Sequence, residues 1–306
     1  MFVNGNRLTT FILVGVAFCS VRGEAQTISV GSGSKPPVGV ATPAPEPADL
    51  TAARLYSPRE FAALDVRTRR KIMNAWASHP SLGRAESALL LLIEAGLVDD
   101  DQEVREHSIA ALQITENEAN IARFQKRPPG LDPTTYPSLY NTLLTLLGNA
   151  DVHFRSQVVK ALTTFEIPQR DELEKEFLER WRNENSALVR SDMVSALAEF
   201  ANRGSASARQ AVLDALDDAA PEVQTTAIRG ARQMRIAEAL PRIAEKLTAS
   251  RPDTRSAVVL ALDTYGDAVL PYASWLAERL SAENDPRVRS ELQKLVDKLN
   301  RAQSLR

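Results

Sequence analysis

One stretch occurs six times along this chain. Aligned on an arginine, it reads EVREHSIAAL at 103–112, HFRSQVVKAL at 153–162, LVRSDMVSAL at 188–197, EVQTTAIRGA at 222–231, DTRSAVVLAL at 253–262 and RVRSELQKLV at 287–296. The anchor positions are Arg105, Arg155, Arg190, Gln224, Arg255 and Arg289, spaced by 50, 35, 34, 31 and 34 residues. Such a period constrains the fold more than composition does. Each unit is one supersecondary element whose apolar face is too small to be buried alone, so neighbouring units must stack and share a core.

The elements are helical. Counted from the anchor, positions +3 and +4 are mostly apolar, as in Val158/Val159, Met193/Val194 and Val258/Val259, and +6 and +7 are small and then apolar. Those positions fall on one stripe of a helix. Alanine at +6 (111, 161, 196, 261) lets a neighbouring helix approach closely. A second amphipathic segment precedes each anchor helix: 85–97, 136–148, 171–181, 208–216, 240–247 and 270–280. Runs of alternating β-branched residues are missing. The sequence therefore predicts an all-α solenoid of about six to seven helical hairpins over 51–306. Within it, Ser57 and Glu60 around Pro58 make a capping box that opens the first helix, and the loosely fitting 51–83 segment is an atypical N-terminal cap.

The unit resembles the HEAT-repeat family, particularly its short form with the pattern D-x-x-V-R-x-x-A-x-x-A-L, carried here by Asp101, Val104, Arg105, Ala111 and Leu112. The resemblance covers about residues 84–300. It implies a right-handed superhelix whose anchor helices line the concave side, and it is nearly silent on activity. Gln224 departs from the pattern.

The ends of the chain are of a different kind. MFVNGNRLTTFILVGVAFCSVRGEA at 1–25 carries Arg7, an apolar core from Leu8 to Val21, and small residues at Gly23 and Ala25, which predicts a signal peptide cleaved after Ala25 and a secreted or periplasmic chain. The apolar run is short for a membrane span, so no stable membrane insertion is expected after cleavage. Removing Arg7, Arg22 and Glu24 from 37 positive and 39 negative side chains leaves 35 against 38, together with no cysteine, so core packing alone must stabilise the product. Residues 26–50 carry five prolines and read as a disordered Pro/Gly/Ser-rich leader. The slightly acidic balance excludes nucleic acid as the expected partner, since binding there needs an excess of Lys and Arg.

Chemistry-bearing motifs are scarce. The three histidines, 79, 107 and 153, have no ligand spacing, GSGS at 31–34 matches no phosphate-binding or nucleophile motif, and Asp99-Asp100-Asp101 lacks the glycine and distal glutamate of a calcium loop. The acidic run reads as a helix cap, and Asp151, Asp218, Asp253 and Asp285 as turn residues ahead of anchor helices. One arginine per unit suits a ladder pairing with such turn aspartates. No cofactor, metal or catalytic residue is expected, and the leading function is a non-catalytic scaffold binding a protein or peptide. The alternative is a HEAT-like enzyme or lyase accessory subunit with a dispersed active site.

Two regions are candidates for the partner. Position +1 repeats a hydroxyl at Ser156, Ser191, Thr225, Ser256 and Ser290, expected as a polar row along the concave face. The wide first spacing admits an insertion of about 16 residues within 115–137, expected as a loop with Phe124, Lys126, Arg127 and Tyr136 as contact residues. RTRRK at 67–71 offers four positive charges, read as a solvated capping face or a site for an acidic partner.

Overall fold

Ser57 opens the first helix in the predicted way. Its hydroxyl accepts from Glu60 N, while the Glu60 carboxylate accepts from Ser57 N at 2.7 Å, with Pro58 at the first helical position. The computed structural model describes residues 56–78, 87–126, 136–164 and 170–304, all within the compact unit Glu46–Arg306. The predicted signal peptide, the leader, His79 and Arg127 lie outside the described residues.

Among the described residues there are fourteen α-helices in seven pairs and no strand. The pairs are α1 Pro58–Ala62 with α2 Val66–Ser78, α3 Ser87–Leu97 with α4 Gln102–Phe124, α5 Pro137–Leu146 with α6 Val152–Thr164, and α7 Arg170–Arg180 with α8 Ala187–Asn202. They continue as α9 Ala206–Asp214 with α10 Pro221–Met234, α11 Leu240–Glu245 with α12 Pro252–Tyr265, and α13 Ala273–Ala282 with α14 Pro286–Ser304. Each even-numbered, anchor-bearing helix packs on the next one, so the pairs are successive layers.

Burial follows the repeat register. Val158, Val159, Ala161 and Leu162 are fully buried, as are Val194, Ala196 and Leu197 in the next layer and Val258, Ala261 and Leu262 further on. Burying a side chain of this size contributes roughly 1.5–3 kcal/mol. In the fifth layer Gly230 takes the +6 place. A Cβ there would stand 2.9 Å from Ala198 Cβ, so α8 and α10 approach more closely than even alanine permits.

The segment read as an atypical N-terminal cap forms the first layer: Arg69 is its anchor, Ile72 and Met73 fill +3 and +4, and Trp76 fills +7, all three buried. One expectation is corrected. The insertion is not all loop. α4 runs on to Phe124, because Thr115, Glu116, Ala119 and Ala122 keep the buried phase of the helix two turns past the usual stop.

The anchor arginines hold the stack at its turns. One guanidinium nitrogen of Arg155 donates to Asn149 O and Ala150 O at 2.7 and 3.2 Å, and Arg190 and Arg255 do the same to the carbonyls five and six residues before them. The other edge reaches the acid at the −6 position of the following layer. Arg69 pairs with Asp99, Arg155 with Glu184, Arg190 with Asp218 and Arg255 with Glu283, at 2.7–2.9 Å with little exposure of either partner. The ladder was legible, but most of its acids were not: Asp151 and Asp285 cap helices instead, accepting from Phe154 N and Val288 N.

Two rungs are missing. Arg105 meets a layer with Asn149 at the −6 position, and its guanidinium lies 5.7 Å over the Phe154 ring instead. Gln224 meets Ala249, so both halves of the rung are absent together; Gln224 bonds only its own turn, to Asp218 O at 2.7 Å.

Candidate partner-binding surface

The +1 hydroxyls were expected to line an open groove. They lie instead between successive anchor helices: Ser156, Thr225 and Ser256 are buried, and Ser191 is half-buried. The reason is geometric. Position +1 sits at the flank of its helix, and the flank is covered by the next layer.

Each hydroxyl bonds across that contact. Ser156 donates to Asp192 at 2.5 Å, Ser191 bonds Thr226 at 2.7 Å, and Ser256 donates to Glu291 at 2.6 Å; Asp192, Thr226 and Glu291 all occupy +2 of the following layer. At the fifth layer the +2 partner would be Ala257, and Thr225 bonds Thr254 at 2.9 Å instead. Ser290 is exposed, there being no later layer among the described residues to cover it. The row is therefore a second ladder, and a partner cannot reach most of it.

What the anchor helices do expose is the stripe at −2, +5 and +9, opposite the core. Leu188 and Leu260 stand there 38% and 45% exposed, among exposed Lys160, Glu199, Glu222 and Arg229. No signal in the apolar period marks this stripe, since it is the face that the period leaves out.

The insertion residues are dispersed. Phe124 ends α4 and is 80% exposed, with Ile121 one turn earlier at 52%. Lys126 is exposed and turns the chain with a positive φ of 56°. Tyr136 is half-buried at the start of α5 and packs against the core. Of the four positive charges at 67–71, two are spent inside the stack, Arg69 on Asp99 and Arg70 on Asp101 and Glu103. The acidic run is thereby accounted for: Asp101 caps α4 by accepting from Val104 N, and the Arg70 guanidinium beside it holds its carboxyl down at about 2.

Glu116 was missed. It is a glutamate in the buried phase of α4, only 3% exposed, and burial pushes its carboxyl well above the usual range. Counting four residues on from buried Leu112 would have found it, had the helix been carried past residue 114. Among the described residues no group of His, Cys, Asp and Glu is placed to hold a metal ion, and no helix is long and apolar enough to cross a membrane.

Comparison with known proteins matches one part of the chain. Residues 209–296 match the model of the HEAT repeats. No curated protein matches the sequence. Among solved structures, a designed armadillo repeat protein is similar at 17% identity and a TM-score of 0.40, covering 69% of this chain and 100% of its own. An engineered protein is similar at 15% identity and a TM-score of 0.34, covering 79% and 96%. The fold stands on the layers themselves: the chain is an all-α repeat solenoid, and its residues 209–296 are similar to HEAT repeats.

Proposed function

We propose that the chain is a non-catalytic, exported interaction scaffold that receives a protein or peptide along the outward stripe of its anchor helices. One observation carries this reading. The side chains that face neighbouring layers are bonded within the stack, whereas the −2, +5 and +9 stripe leaves Leu188 and Leu260 open among unlike charges. Exposed leucines ringed by charges suit the apolar anchors and polar rim of a protein interface. Export is supported by the leader sequence of residues 1–25.

The test is affinity capture by the mature chain, with a photoreactive side chain at residue 188 or 260 to mark what is touched. Crosslinks at both positions to one protein, and loss of capture in Leu188→Asp/Leu260→Asp with an unchanged melting temperature, are expected. Capture that survives this pair but is lost when 126–133 is replaced by a Gly-Ser linker moves the site to the insertion. Turnover of a copurified small molecule by the chain would replace the scaffold with an enzyme.

A further inference from the structure

The acid of every complete rung is wired in the same way. One carboxylate oxygen accepts from the backbone nitrogen two residues on and from Nη2 of the anchor arginine, and the other faces the arginine Nε. Asp99 is held so by Asp101 N and Arg69, Glu184 by Ser186 N and Arg155, Asp218 by Ala220 N and Arg190, and Glu283 by Asp285 N and Arg255, with the backbone contacts at 2.8–2.9 Å.

Asn149 stands at this position in the third layer and keeps half of the wiring. Its Oδ1 accepts from Asp151 N at 2.9 Å. A backbone N–H only donates, so the atom it meets is the amide oxygen, and the place of the second carboxylate oxygen falls to Nδ2, a donor. The group across the junction is a donor too. Arg105 gives Nη1 to Asp99 O and Asp100 O at 2.7 and 2.8 Å, while its Nε is buried with no hydrogen-bond partner. Arg105 Nη2 and Asn149 Nδ2 also have no partner among the described residues, and neither is sealed from solvent. A place that holds an acceptor in four other junctions is here lined by donors.

The surroundings suit a single negative charge. The buried ring of Phe154 lies 5.7 Å from the Arg105 guanidinium and keeps water off one of its faces, which strengthens the pull on an anion. Of the nearby acids, Asp101 is bound to Arg70, Glu106 accepts from Gln102, Asp151 accepts from His153 N and Phe154 N, and Asp100 is exposed. Asp151 does not bar a carboxylate from the rung, because Asp101 beside Asp99 and Asp285 beside Glu283 hold the same position in complete ones. The other incomplete junction has Gln224 for its arginine and so lacks the charge that makes this one a site.

We propose that the junction between the second and third layers is a carboxylate-binding site: an acidic group from outside the chain completes the rung, one oxygen on Asn149 Nδ2 and the other on the Arg105 guanidinium. The ligand is a planar monoanion, either a small organic acid or the side chain of an acidic residue in a peptide. Arginine takes such a group through two nitrogens at once, as the complete rungs show. The site lies at the turns and makes no use of the outward stripe, so it stands whether or not that stripe receives a partner.

The experiment titrates the nitrogen-15-labelled mature chain at about pH 7, where carboxylates are ionised, and at constant ionic strength. The probes are sodium acetate, a capped peptide bearing one glutamate, and the same peptide with glutamine in its place. Acetate and the glutamate peptide are expected to shift the Arg105 Nε–H and Asn149 side-chain signals together and saturably, while the glutamine peptide leaves them in place and Arg190 and Arg255, whose acids are present, do not respond. A lower midpoint for the glutamate peptide than for acetate assigns the ligand to an acidic side chain; one no lower assigns it to small acids. Asn149→Asp supplies the carboxylate from the chain itself and should abolish the response. The proposal is overturned by shifts that do not saturate, by an equal effect of the glutamine peptide, by an equal response at Arg190, or by a response that survives Asn149→Asp. Should that variant fail to fold, the titrations of the unaltered chain decide by themselves.

Discussion

Ser156 illustrates why a hydroxyl next to a core stripe cannot be treated as surface. A buried donor left unpaired costs about 1–3 kcal/mol, and Ser156 avoids this only through Asp192 on the next layer. Ser156→Ala is therefore expected to destabilise by about 1 kcal/mol in urea unfolding, and Asp192→Ala to make the same change nearly neutral in a double-mutant cycle. From the sequence alone the opposite follows, since position +1 lies off the apolar stripe and its loss appears free. The period of apolar residues reports the side of a helix that faces its own layer. It carries no signal for the flank covered by the next layer, where the filling residues are small and polar. Val159, at the centre of the stripe, was legible for that reason; Ser156, Thr225 and Ser256 were not. Glu116 was hidden by a different error, the assumption that the helix stops where its homologous neighbours stop.

At the scale of the element, the junctions between layers are unequal. Four carry a buried or nearly buried arginine–acid pair; the one between the fifth and sixth layers carries Gln224 and Ala249 in the places of that pair, Ala257 where Asp192 and Glu291 stand in other layers, and a neutral Thr225–Thr254 bond. Its polar bonds are neutral, with Tyr265 donating to Ala231 O and Ile236 O, and its ion pairs lie near the surface. Gln224→Arg with Ala249→Glu should build the missing rung and raise stability by about 1 kcal/mol, while Gln224→Arg alone should lower it by leaving a guanidinium without its acid. A positive coupling in the cycle is the measurement that checks this. The complete rungs also set an acid response. Hydrogen bonds from Arg255 hold the Glu283 carboxyl below its ordinary value, so the folded state binds its proton less readily than the unfolded one. The stability that this rung contributes is present above the unfolded value and is lost as the pH falls through the lowered folded one. Glu283→Gln should accordingly cost about 2 kcal/mol at neutral pH, and the gap to the unaltered chain should close in acid. The anchor arginine of each unit was plain in the sequence. Its acid was not, because Asp and Glu share that position and two of the six layers hold Asn149 and Ala249 there.

For the whole molecule, the stack has seven layers among the described residues, where the repeat register alone showed six anchors and left the first layer as a cap. Arg69 escaped the alignment because RTRRK offers three arginines within four residues and its +6 and +7 places hold Ala75 and Trp76, not Ala-Leu. In such a stack, stability is approximately a sum over layers and the junctions between them. That has a consequence for how the chain can grow. Each rung takes its arginine from one layer and its acid from the next, so a layer carrying both fits between any two that do. A tandem copy of the fourth layer would bring Glu184 to meet the preceding arginine and Arg190 to meet the following acid, and it should unfold no more easily than the parent chain on calorimetry. A tandem copy of the fifth would set a second Asp218 against Gln224, stranding a carboxylate, and should melt lower. Lengthening by gene duplication is thus open at some layers and closed at others, and the permitted joints can be told by reading two letters per repeat.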